Sequence, residues 1–202
     1  MKKILYKAIF FCLSAFVMSG CDLDLQKNYD YEASVDDPHV YVTAWEYFKN
    51  NPDTFSELTA AIEYTGLTNY YTQTDEKYTF LALNNTGMQA YRESVFPGAK
   101  SITDCDMETV KKMLLYHIVD GEYSSYGQLQ DQAMFVLTML PGENGLMTMS
   151  VWKNPWQAAV GKILVNETGS NGNSPQRKAK TSNIMPTNGV IHIFENYCYY
   201  KK

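Results

Sequence analysis

A change in the period of the apolar residues partway along the chain is the feature that most restricts its fold. In the first half they recur three and four residues apart, as on the buried face of a helix. In the second half they come as short runs set off by turn residues, as in strands. Helices clustered early and strands late favour an α+β domain over a parallel βαβ sheet, in which the two would alternate. The 202 residues suffice for one domain with a sizeable core and are too few for two.

TAWEYFKNNPDTFSELTAAIEYTGL (43–67) carries two helical stretches separated by Asn51-Pro52-Asp53. Asp53 or Thr54 can cap the second, with Phe55, Leu58, Ala61 and Ile62 on its inner face and Gly66 as its stop. KYTFLAL (77–83) is rich in strand formers, and Asn84-Asn85-Thr86 can cap a short helix running through Tyr91. Beyond Pro97-Gly98, residues Met107, Val110, Met113 and Leu114 share one face of a helix that ends near His117. AMFVLTML (133–140), LMTMSVW (146–152), KILVNET (162–168) and GVIHIFENYCYY (189–200) read as strands. GSNGNSPQRKAKTSN (169–183) reads as a polar loop with a small basic cluster.

Residues 1–20 carry an address rather than a fold. Lys2, Lys3 and Lys7 accompany the apolar core AIFFCLSAFVM, which has signal-peptide length and is too short for a convincing transmembrane helix. The stretch closes VMSGC, with small Ser19 and Gly20 directly before Cys21. This resembles a bacterial lipobox, which implies cleavage before Cys21 and lipidation of its thiol. Ordinary signal cleavage with an unmodified Cys21 is the alternative. Acyl chains such as palmitate anchor a protein because each buried methylene contributes about 0.8 kcal/mol. Residues 21–42 are acidic and polar without a sustained period, and read as a tether to a folded part at 43–202. Acidic residues close behind Cys21 resemble the surface-export signals of lipoproteins in the Bacteroides group. That likeness implies an outer-membrane anchor exposed at the cell surface.

Loss of the first 20 residues removes three lysines and no acids, making the formal charge of −5 three units more negative. Such a chain has no electrostatic footprint for phosphate backbones, which argues against nucleic acid as a partner. Cys12 leaves with the signal, so Cys105 and Cys198 are the cysteines left beside Cys21. An exported location permits a disulfide between them, and two buried free thiols are the other reading. Without a CxxC pair or a nearby histidine they do not make a zinc site, and no cofactor is expected.

YTFLALNNTGMQAY, LLYHIVDG and TNGVIHIFE occur in the order and spacing of a fasciclin-like (FAS1) domain, and residues 43–199 resemble that family. Thr79, Ala82 and Asn85 match its first segment, while Leu83 stands where proline is usual and Met88 where an aromatic is usual. Leu115-Tyr116-His117 with Gly121 looks like its Tyr-His motif, and Asn188–Ile193 like its second segment, with Val165-Asn166 on the strand between. The resemblance implies a wedge of β-strands flanked by short helices. It also implies a non-catalytic module for adhesion or interaction with an envelope or host extracellular protein.

His117 falls on the apolar face where its helix ends. There an imidazole can donate to one backbone carbonyl and accept from another group, a structural role. Recognition through an exposed Tyr116-His117 edge is the alternative that the resemblance implies. His192, alternating with apolar residues in a strand, reads as a satisfied, half-buried group. No HExxH frame, GxSxG elbow or phosphate-cradling glycine loop is present, and Glu143, Glu167 and Glu195 pair as glycosidase carboxylates only on paper. Trp152 and Trp156 bracket Lys153-Asn154-Pro155 in an expected turn, where they either fold back into the core or present rings to a protein or a glycan. A surface glycan-binding lipoprotein serving polysaccharide uptake is therefore the second functional expectation. Tyr197, Tyr199 and Tyr200 raise a similar possibility beside the last strand, and Arg177, Lys178 and Lys180 could meet acidic glycans.

Overall fold

Two apolar runs from opposite ends of the domain, Tyr78–Leu83 and Gly189–Phe194, are buried at every position. They need partners on both faces, and they form the centre of the molecule. The computed structural model describes residues 37–152 and 161–202, and Pro38–Lys202 forms one compact unit. Five α-helices are described, α1 (Ala44–Asn50), α2 (Pro52–Thr65), α3 (Thr68–Thr72), α4 (Asn85–Val95) and α5 (Met107–Tyr116), with 3-10 turns at Ile102–Asp104 before α5 and at Glu143–Gly145. The strands are β1 (Tyr78–Leu83), β2 (Ile118–Asp120), β3 (Met134–Leu137), β4 (Leu146–Trp152), β5 (Lys162–Val165), β6 (Arg177–Lys178), β7 (Thr181–Ile184) and β8 (Gly189–Phe194).

They form two four-stranded sheets, ordered β2-β1-β8-β7 and β3-β4-β5-β6. In the first, β1 pairs in parallel with β8 from Tyr78–Gly189 to Leu83–Phe194, while β2 and β7 pair antiparallel on the outside. The second is antiparallel throughout. A bridge between Val119 and Thr138 joins the sheets, with Met139 N–H donating to Ile118 O at 2.8 Å. Gly189 is required at the β1–β8 crossing, because its φ is +145° and a Cβ there would stand 1.8 Å from Tyr78 O.

The inner face expected for α2 is the buried one: Phe55, Leu58, Ala61 and Ile62 enter the core, where Phe48 and Phe55 lie 4.9 Å apart between ring centres. Gly66 ends the helix at φ +70°, with Leu67 N–H returning to Ile62 O. The start differs from expectation. Asn51, not Asp53 or Thr54, is the N-cap, because Pro52 at the first helical position has no N–H to satisfy and starts the helix earlier. Asn84 caps α4 by accepting from Gly87 N–H at 2.9 Å, and the helix runs past Tyr91 to Val95. On α5, Val110, Met113 and Leu114 are buried as expected, whereas Met107 in the first turn is exposed.

Two expectations are corrected by backbone pairing that leaves no side-chain pattern. The basic stretch 169–183, expected as a loop, contains β6 and the start of β7. Residues 38–42, expected in the tether, belong to the domain: Val40 N–H donates to Met185 O, Met185 N–H to Pro38 O, and Thr187 N–H to Val42 O. Leu83 and Met88, the departures from the family pattern, are both fully buried core residues.

Candidate functional site

The end of α5 is built around His117. It is 3% exposed; Nδ1–H donates to Met113 O at 2.8 Å, and Nε2 accepts from Cys198 N–H at 2.9 Å. Both ring nitrogens are used by backbone, so the imidazole is neutral, and desolvation holds its pKa down at about 4. Tyr116 is 2% exposed; its hydroxyl donates to Leu146 O and accepts from Asn166 Nδ2, both at 3.1 Å, and burial pushes the phenol up. The exposed Tyr116-His117 edge considered from the sequence is therefore absent: both rings turn inward. The structural role expected of His117 is the one it has.

His192 is the mirror case. Its Nδ1 accepts from Asn183 N–H at 3.1 Å and its Nε2–H donates to Tyr123 O at 2.8 Å, so it carries the opposite tautomer. It is completely buried, and desolvation again lowers its pKa to about 4. Asn188, directly before β8, works similarly. Its Oδ1 accepts from Ala44 N–H and its Nδ2 donates to Tyr71 O, locking α1 and α3 onto the β1–β8 pair.

His117 does shape a surface, through Cys198. The segment that follows β8 is fixed by that bond and by Arg177 Nε donating to Tyr197 O at 2.9 Å. Tyr197 then packs edge-on against Tyr91 at 5.2 Å and stacks on Tyr199 at 5.4 Å. Between α4, α5 and this segment lies a cleft of about 420 Å³ lined by Tyr91, Val95, Lys112, Tyr116, Leu140, Asn144 and the three C-terminal tyrosines. Tyr199 and Val95 stand exposed at it. Of this group the sequence singles out Tyr116 and the tyrosines at 197, 199 and 200; the rest converge from separate elements and share no local motif.

The cysteines are not bridged. Cys105 and Cys198 are separate free, buried thiols, the second of the two readings from sequence, and burial raises both, Cys198 to about 12. The thiol of Cys105 donates to Ser101 O, while Cys198 sits against His117. Among the described residues no group of three or more His, Cys, Asp or Glu could hold a metal ion. Trp152 closes β4 at 47% exposure, so it does not fold back into the core. The Lys178 ammonium lies 4.5 Å from its ring centre. Trp156 and Cys21 lie outside the described residues. Phe135 and Leu137 of β3 are also exposed.

A first strand paired in parallel with the last, flanking helices and a second antiparallel sheet define an α+β scaffold. A sequence model of the fasciclin domain matches residues 53–197, and the chain belongs to that family. Among solved structures it resembles a FAS1 domain pair from the insect cell adhesion molecule fasciclin I. The TM-score is 0.55 at 15% identity, covering 78% of this chain and 50% of that one. The chain thus spans half the length of that structure, and at this identity the likeness is one of fold. No curated protein sequence matches.

Proposed function

We propose that the protein is a lipid-anchored cell-envelope protein, of a Bacteroides-type bacterium, whose fasciclin domain serves adhesion or protein interaction at the cell surface without chemistry of its own. The observation that carries this reading is the tyrosine cleft. It offers apolar rings with polar tips on a floor held by hydrogen bonds with His117 and Arg177, the composition found at protein contact centres. Its nearest histidine is committed to backbone on both nitrogens, which removes it as a proton carrier. Fasciclin domains are associated with adhesion and interaction generally, which agrees with this use of the fold. Anchoring through Cys21 rests on the lipobox-like VMSGC, and no described helix is long and apolar enough to cross a membrane.

The test displays the full chain on cells and measures adhesion to immobilised matrix and envelope proteins. Val95→Asp with Tyr199→Asp is expected to abolish adhesion at a stability cost of about 1–3 kcal/mol, from the lost Tyr197–Tyr199 stack and an acid at the end of α4, with the urea midpoint checking that the fold persists. Adhesion that survives both changes rules out the cleft. Incorporation of labelled palmitate, lost in Cys21→Ser, checks the anchor. Exposed Trp152 favours a second reading, a surface glycan-binding lipoprotein that supports polysaccharide uptake.

A further inference from the structure

Two features far apart in the sequence, an exposed tryptophan and a basic stretch, meet on the outer face of the second sheet. Trp152 of β4 is the register partner of Lys162 on β5, and Leu164 two residues on is the partner of Lys178 on β6. Paired residues in a ladder point to the same face, so Trp152, Lys162 and Lys178 share one surface. Both lysines are exposed, and neither has an ion-pair partner among the described residues, unlike Lys49 with Glu63 or Lys180 with Glu195. The Lys178 side chain reaches across β5 to place its ammonium 4.5 Å from the indole centre. On the same face, Ser150 Oγ donates to the Glu167 carboxylate at 3.2 Å, which fixes that acceptor beside the group.

We infer that Trp152, Lys162 and Lys178 form a binding site for an acidic glycan, a polysaccharide whose sugar units carry a carboxylate or sulfate. This rests on the glycan reading above and specifies it. Each part matches one part of such a sugar. The C–H face of a pyranose stacks on an indole, its acid group meets two ammonium groups without an ion-pair partner among the described residues, and Glu167 accepts from ring hydroxyls. A neutral sugar would leave both lysines without a role. The ammonium over the ring does not block the site, because an exposed cation–π contact and an exposed ion pair are of similar strength, each about 0.5–1 kcal/mol. Lys178 can therefore exchange one for the other as the sugar enters. The chain as a whole is acidic, so the attraction is local to this face and does not extend to polyanions in general.

The experiment is native affinity electrophoresis of the full chain in non-ionic detergent, through gels holding polygalacturonate, a sulfated glycosaminoglycan or dextran, at low and high salt. Retardation by an acidic polysaccharide and not by dextran, weakened by salt, is expected. Trp152→Ala and Lys162→Ala/Lys178→Ala should each reduce affinity about tenfold or more while the protein still unfolds in a single cooperative urea transition. Retardation by dextran that ignores the lysines overturns the acidic specificity and leaves glycan binding standing. Displacement by a single-stranded oligonucleotide as effective as by the polysaccharide shows charge alone and overturns the sugar site. Unaltered mobility in every gel overturns both this inference and the glycan reading.

Discussion

In the first sheet every residue of β1 and β8 is buried, and the polar side chains among them, Thr79 and His192, are hydrogen-bonded. In the second sheet β3 turns Phe135 and Leu137 to solvent and β4 ends on exposed Trp152. The contrast separates groups that hold the fold from groups that are free to recognise something. His117 and His192 cannot be spared from the core, because each satisfies two backbone groups that water does not reach. Trp152 and Lys178 meet only each other in an exposed contact, and neither Lys178 nor Lys162 has an ion-pair partner among the described residues.

The contrast breaks most sharply at Gly189. Gly189→Ala places a methyl group against Tyr78 O at the start of the parallel pair, and we expect loss of the folded state. A variant that stays soluble with a native urea midpoint would mean that the two strands tolerate separation. Acid comes next. Both core histidines are held near pKa 4 against an ordinary 6.5, so the unfolded chain binds their protons first. Their contribution is whole above pH 6.5 and falls as pH drops toward 4, at about 1.4 kcal/mol per pH unit for each. Urea titrations between pH 7 and 4 should follow this fall, and a His192→Gln background should flatten it by about half. His117→Ala removes the partner of Met113 O and of Cys198 N–H, and should cost about 1–3 kcal/mol. It should also loosen the tyrosine wall, read as faster amide exchange at Cys198. The smallest effect is at Trp152→Ala, about 1 kcal/mol from the lost contact with Lys178 and the covered part of the ring; a larger loss in the urea midpoint would make that side chain structural as well.

Sequence pattern reveals the elements whose side chains decide their structure. Phe55, Leu58 and Ile62 announce α2, and Gly66 its end, because burial and left-handed backbone each demand particular residues. The β1 and β8 runs announce strands dry on both faces. β6, β7 and residues 38–42 stay hidden because backbone ladders hold them, and Arg177-Lys178 advertises only a charged surface. Tyr116-His117 is visible as a motif, but its direction is not: the same residues at a helix end can face in or out. The cleft and the tryptophan–lysine face are hidden for a topological reason. Lys178 reaches Trp152 through two strand pairings, and no spacing in the chain encodes that proximity.

The parallel pairing of β1 with β8 also sets the order in which the molecule can assemble. β1 and β2 lie closer in the chain and can zip early, yet the other edge of β1 waits for β8, the last of the described strands. Closing so long a loop adds little to the equilibrium cost but slows the rate at which the native pairing is found. Until then an uncharged strand, apolar on both faces, has one open edge, the kind of segment that captures other chains. A chain lacking Gly189–Phe194 would keep that edge of β1 unpaired, so the docking of β8 is the step that closes the first sheet.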